Sequence, residues 1–339
     1  MSESLPVGKL PYQLMASLLA RAPCEDPRVL VGPGPGMDCG VVDTGGDRLL
    51  VFKSDPITFV ADDVGEYLVR INTNDIATTA AEPSWLLLTL LLPEGGTPPE
   101  RAQAINDPIF EACRKAGIAV IGGHTEVTHG LDRPIAVGAL VGEVSRDRLV
   151  TPRGAMPGDR ILLTKGVPIE GTAILAGELG DRLTGVLSGE ELARARDFPT
   201  DPGIDVLEDA RVATGAGRVT AMHDPTEGGL ATALWELAEA SGRSLEVDTE
   251  RVPVPDLARR VCRYFGLAPL ATIASGALLL TSPASEAEGI GQALAEAGIP
   301  CSDLGEVKAD PTAVSRAGEA GGGPLDRPDR DEIGKVYEG

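Results

Sequence analysis

Apolar residues along this chain fall at two spacings, in short runs and at helical intervals, and the elements they predict alternate between strand and helix. Leu49 to Phe52, in the stretch RLLVFKSDPITF, form a short apolar run that ends in a polar turn, as a strand does. Helical spacing follows from Val64 to about Ala81. The stretch SWLLLTLLLP, Ser84 to Pro93, is rich enough in leucine to predict a strand buried on both faces. A helix from about Pro98 to Ala116 and the strands GIAVIGG and PIAVGALVGEV complete the first half. TPRGAMPGDR, Thr151 to Arg160, carries two prolines and two glycines and predicts a domain boundary.

Beyond that boundary RILLTKG opens a second αβ region. It has predicted helices over 170–180, 189–196, 203–214, 255–265 and 284–297, strands at RVTAMHD and SGALLLTS, and a short strand near 303–307. MHDPTEGGLATALWELAEASG, Met222 to Gly242, predicts another helix. Asp224 stands where an N-cap belongs, Pro225 fits the first helical position, and Glu227 completes a loose capping box. Leu230, Ala233, Leu234, Leu237 and Ala238 then make one apolar face. Capping does not account for Gly228 and Gly229 in the first turn, each of which costs about 1 kcal/mol against alanine. Bare amides at the positive end of a helix suit an anion; tight packing is the alternative. From Asp310 onward the chain is rich in Gly, Pro and charge, which predicts a mobile tail over 310–339.

The 339 residues suit two domains of roughly 150 each, and 42% hydrophobic residues, with only 3% aromatic, predict aliphatic cores. A net charge of −21 without a Lys/Arg cluster disfavours nucleic acid and anionic membrane as partners. No signal-like start and no run of 18 apolar residues occurs, so the cytoplasm is the expected compartment. Five scattered cysteines without C-x-x-C spacing predict reduced thiols.

No Walker-type P-loop and no strand leading into G-x-G-x-x-G and a helix is present. Isolated acids in loops beside apolar strands are more informative: Asp38 in PGMDCGVV, Asp55 in FKSDPITF and Asp75 in INTNDIATTAAEP. Each alone reads as a turn-closing Asp. Together with Gly122-Gly123-His124-Thr125 after an apolar strand, they could assemble a nucleotide site in which Mg²⁺ bridges carboxylates and phosphates. His124 and Glu126 would share one side of a strand, but zinc lacks a convincing third ligand.

These segments, in the order GMDCGVV, KSDPITF, INTNDIATTAAEPSWLLLTLLLP, GGHTEV, VGALVGEV, PGDRILLTKGVPIEGTAIL, HDPTEGGLATALWELAEASG and ASGALLLTSP, resemble the ATP-binding superfamily of aminoimidazole ribonucleotide synthetase. That superfamily also holds thiamine-monophosphate kinase, selenophosphate synthetase and HypE, and the HypE branch is the most similar. The resemblance runs from about residue 32 to 308. It implies an α+β fold of two domains. Residues 1–150 would form a PurM-like, ATP-binding αβ domain whose strands join those of a second subunit in a β-barrel. Residues 151–309 would form an αβ sandwich. It implies ATP and Mg²⁺ as cofactors and a homodimer. The metal positions would be Asp38, Asp55 and Asp75. Nucleotide contacts would come from Asp38, Asn72, Gly122, Gly123, Thr125, Thr226, Gly228 and Gly229, and the catalytic positions would be Asp55, His124 and Asp224.

The chain departs from that pattern at Met37, where the branch usually has a first aspartate, and at His124, where it usually has Asp. HypE carries a C-terminal cysteine that is carbamoylated and then dehydrated with ATP, whereas this sequence ends in Glu338-Gly339 and its last cysteine is Cys301. The expected function is an ATP-dependent, Mg²⁺-requiring enzyme that activates a carbonyl, amide or similar group by phosphoryl transfer, on a small molecule or on another protein's terminus. A nucleotide-binding accessory protein and a small-molecule kinase are the alternatives. No general base is identifiable: His223 or His124 could serve, but a structural role is expected for each.

Overall fold

The computed structural model describes residues 5, 8–57, 64–317 and 322–337. They divide into two compact units. The smaller comprises Cys24–Gly32 and Asp38–Leu149; the larger comprises Val150 onward, Pro33–Met37 and the residues up to Pro23, among them helix α1 (Tyr12–Leu19).

The smaller unit contains β1 (Val29–Val31), β2 (Gly40–Val42), β3 (Arg48–Ile57), α2 (Val64–Ala77), β4 (Glu82–Pro93), α3 (Pro99–Ala116), β5 (Ala119–Thr128) and β6 (Ile135–Ser145). The strands form one sheet in the order β1-β2-β3-β6-β4-β5, antiparallel except for the parallel β4–β5 pair. A parallel neighbour requires a crossover, and α3 supplies it. That helix starts with Pro99 in its first turn and stops at Gly117, whose φ of 70° a residue with a side chain tolerates poorly. In β3 the side chains alternate: Leu49, Val51 and Ile57 are buried, Phe52 is exposed, and Lys53 and Asp55 share the inward parity. The sheet admits α2 because β6 offers glycines. A Cβ on Gly138 would lie 2.8 Å from Asn72 Nδ2, and one on Gly142 would lie 2.6 Å from Ile76 Cγ2. The strand expected to be buried on both faces is not. In β4, Leu86, Leu88, Leu90 and Leu92 are buried while Leu87 is 42% exposed, because only one face of this sheet is covered by its helices.

The larger unit contains β7 (Asp159–Thr164), α4 (Ile169–Glu178), α5 (Gly189–Arg196), α6 (Leu207–Ala216), β8 (Ala221–His223), α7 (Gly229–Ser241), β9 (Ser244–Asp248), α8 (Asp256–Phe265), β10 (Leu279–Pro283), α9 (Ala284–Glu296), β11 (Cys301–Lys308), β12 (Ala313–Ala317), β13 (Gly323–Pro324) and α10 (Gly334–Tyr337). Its sheet runs β13-β12-β9-β11-β7-β10-β8. The apolar face of α7 joins β9 and β12 residues in one core with Leu245, Val247 and Val314.

Two further expectations need correction. The helix is not capped by Asp224: its N-cap is Gly228, and Gly228 and Gly229 have φ of 80° and 62°, so no regular helical turn runs back through them to Asp224. Nor do the described residues from Asp310 onward hang loose. β12 pairs parallel with β9, β13 pairs with β12, Leu325 is buried, and Trp235 Nε1 donates to its carbonyl at 2.8 Å. Completing a sheet edge uses backbone groups, so a segment poor in apolar residues can still dock. The terminal pair Glu338-Gly339 lies outside the described residues. Among the described residues no helix is long and apolar enough to cross a membrane.

Candidate functional site

In the smaller unit, strand alternation places Lys53 and Asp55 side by side on the face that meets α2, and α2 contributes Asp75. Lys53 Nζ lies 3.2 Å from Asp55 Oδ2 and 3.1 Å from Asp75 Oδ1. Its side chain is 16% exposed. Burial alone would lower the Lys53 pKa, but the charges of Asp75, Asp55 and Asp38 outweigh it and hold the pKa well above the ordinary lysine value. The group is therefore an ammonium at any physiological pH.

Asn72, fully buried on α2, fixes the strand to the helix. Its Oδ1 accepts the Asp55 N–H at 3.1 Å, and its Nδ2 donates to the Leu68 carbonyl at 2.9 Å and reaches the Asp55 carbonyl at 3.5 Å. Thr78 Oγ1 donates to the Asp75 carbonyl at 2.7 Å and to Asp38 Oδ2 at 3.4 Å, while Cys39 Sγ donates to the same Asp75 carbonyl at 3.2 Å. Asp38, Asp55, Asn72 and Asp75 thus converge. Their oxygens are the hard donors that Mg²⁺ favours, but the ammonium already bridges two of the three carboxylates. Lys53 was not among the candidates read from the sequence. The signal was there in K-S-D, because residues two apart on a strand share a face.

The glycine pair lies elsewhere in this unit. Gly122 and Gly123 are part of β5, not a turn after it, with φ of 154° and 144° at a register shift against β4. One row of paired residues crosses the sheet as Asp55, Gly138, Leu88 and Gly123. At about 4.8 Å per strand, Gly123 is roughly 14 Å from Asp55. His124 and Thr125 are exposed, and His124 Nε2 meets Glu126 Oε2 at 3.0 Å on one side of the strand. These four residues are not brought to the aspartates within the smaller unit.

The remaining candidates belong to the larger unit. His223 Nε2 and Glu236 Oε2 form a buried pair at 2.9 Å, with Lys9 Nζ 3.4 Å from the other carboxylate oxygen. Burial would raise the Glu236 carboxyl, but the His223 hydrogen bond and the charges of Lys9, His223 and Arg327 hold it down at about 2. Asp224 is buried beside His223 in sequence. The Thr226 carbonyl accepts from Gly229 N–H at 3.0 Å and Ala274 N–H at 3.3 Å. A Cβ on Gly229 would lie 2.6 Å from the Leu270 carbonyl oxygen, so close packing accounts for that glycine. The Gly228 N–H does meet an anion, one the chain itself supplies: it donates to Asp331 Oδ2 at 2.6 Å.

The N-terminal domain family of AIR synthase related proteins matches residues 36–144, and the C-terminal domain family matches residues 156–317. A protein of Methanocaldococcus jannaschii provisionally named for hydrogenase expression/formation is 32% identical over 252 residues, spanning 72% of this chain and 70% of its own length. Carbamoyl dehydratase HypE of Azotobacter vinelandii is 31% identical over 245 residues, 70% of this chain and 67% of its own. The crystal structure of hydrogenase maturation protein HypE in complex with ATP superposes with a TM-score of 0.72 at 24% identity, covering 89% of this chain and 92% of that one, and so shares the two-domain fold.

Proposed function

This chain belongs to the AIR synthase related superfamily, close to HypE, and from that premise we propose that it is an ATP-dependent enzyme that activates a carbonyl, amide or similar group by phosphoryl transfer. The observation that carries the proposal is the convergence of Lys53, Asp55, Asp75 and Asp38 around buried Asn72. A triphosphate transferring its terminal phosphoryl group needs its charge held in place more than it needs covalent help, and a fixed cluster of charges does that. The substrate oxygen attacks the γ-phosphorus, the bond to the β-phosphate oxygen breaks, and ADP leaves. The acceptor then carries phosphate, a good leaving group, where it carried a poor one.

Asn72 holds the Asp55 backbone, so the carboxylate keeps its position as charge moves. Asp38, with phosphate oxygens, would hold the Mg²⁺ that accompanies ATP, and that ion would supply neutralisation of the triphosphate charge. The acceptor is a small molecule or the terminus of another protein. A nucleotide-binding accessory protein without turnover is the second reading, favoured by the ammonium already spent on Asp55 and Asp75.

Asp55→Ala is expected to reduce Mg²⁺-dependent ATP hydrolysis about 100-fold while the circular dichroism spectrum stays that of the wild type. Wild-type protein that binds ATP in calorimetry but never turns it over would support the accessory reading instead.

A homodimer belongs to the same proposal. β5 is a ten-residue edge strand, and Val120, Ile121 and Val127 stand exposed along it. A long apolar edge invites a second sheet. Sedimentation velocity is expected to give a dimer for the wild type and a shift toward monomer for Ile121→Lys; a wild type that is monomeric at all concentrations removes the dimer from the proposal.

A further inference from the structure

We propose that the Lys53 ammonium takes the place of a divalent cation between Asp55 and Asp75, so that this carboxylate pair binds no metal of its own. The inference deepens the ATP reading, since it concerns the same cluster.

Three observations lead to it. The ammonium lies 3.2 Å from one carboxylate and 3.1 Å from the other, which is salt-bridge distance to both at once. A metal bridging Asp55 Oδ2 and Asp75 Oδ1 would compete for the lone pairs the ammonium already uses. The position is also enforced. Lys53 shares the inward parity of Leu49 and Val51, its side chain is 16% exposed, and Asn72 pins the backbone of Asp55 two residues on. Swinging the ammonium out would move a positive charge away from Asp75, whose side chain is 5% exposed. Finally, the donor types differ in what they do. A divalent ion can be removed or exchanged, whereas a lysine is tethered and carries a single charge. The ammonium stands at ion-pair distance from both carboxylates, and its fixed positive charge is one that a phosphate oxygen can meet. The pair therefore presents a triphosphate with a built-in cation that no chelator strips away.

The test is a Mn²⁺ titration without nucleotide, followed by the loss of the free-ion electron paramagnetic resonance signal. The wild type, Lys53→Met, Lys53→Arg, Asp75→Asn and the double variant Lys53→Met/Asp75→Asn are compared. Lys53→Met is expected to gain one Mn²⁺ site at least about tenfold tighter than any in the wild type, because two converging carboxylates lose their resident cation. The double variant loses that site again, and Lys53→Arg does not gain it. A Lys53→Met protein that is folded and gains no site overturns the proposal. So does a wild type that already binds a Mn²⁺ ion which Asp75→Asn abolishes, and that result stands even if Lys53→Met does not fold. ATP binding is measured separately on the wild type. Failure there strikes the proposed function and leaves the Mn²⁺ result standing.

Discussion

Gly123→Ala is expected to lower the melting midpoint of the smaller unit by about 10 °C or more, the equivalent of roughly 3 kcal/mol. A Cβ at this position would lie 1.8 Å from the Leu88 carbonyl oxygen and 2.7 Å from the Leu88 nitrogen, so the obstacle is backbone, which cannot rotate aside. The φ of 144° adds strain of about 1–3 kcal/mol for any residue bearing a side chain. Relief requires β4 and β5 to part at their centre, with loss of ladder hydrogen bonds. Gly177→Ala is the control: Gly177 lies in α4 with open space around it and an ordinary φ, and alanine there stabilises by about 0.5–1 kcal/mol. Differential scanning calorimetry of both variants decides the matter. A Gly123→Ala protein melting with the wild type would contradict the β4–β5 register.

The second large effect depends on pH. Glu170, in the first turn of α4, is 6% exposed, its Oε2 has no hydrogen-bond partner, and burial pushes its carboxyl up to about 7, with the Asp331 and Glu227 charges adding to the rise. An unfolded glutamate titrates near 4.5. Between those values the folded state keeps a proton that the unfolded state has released, so stability falls as pH rises through this window. Below it no penalty exists; above about pH 7 the full cost is roughly 3 kcal/mol. Glu170→Gln removes the charge and keeps the shape. Its melting midpoint is expected to exceed that of the wild type by several degrees at pH 8 and to match it at pH 4.5. Equal differences at the two pH values would mean that the folded Glu170 carboxyl titrates where the unfolded one does, contrary to the shift argued here.

Most of the helices and strands were legible because their signals are local. Helix α5 begins with Ser188 and Glu191 in a capping box, and α3 ends at Gly117, so both boundaries stand in the sequence itself. The three aspartates could be picked out singly for the same reason. Their convergence could not, because it depends on β3 lying beside β6 and on two glycines of β6 letting α2 approach. Lys53 was overlooked because a lysine on an inward face reads as a pattern error until its partners are known. The start of α7 misled for a related reason. Asp224 and Pro225 make a persuasive local cap, yet Gly229 must pass the chain close to Leu270 and Thr272, and that long-range demand prevails. Composition reports side chains, so it does not reveal that Ala313–Ala317 dock by backbone pairing with β9.

The Asp331 carboxylate on the Gly228 amide bears on any ligand of that helix. It also accepts the Ile333 N–H at 2.8 Å, and Glu332 N–H donates to the Ala271 carbonyl at 3.1 Å, so the tail holds its acid in place through several bonds. A tethered carboxylate acts at an effective concentration in the millimolar range, and a phosphate arriving from solution competes against it throughout. Measured anion affinity at this helix is therefore an exchange constant, the difference between a visiting anion and a resident one.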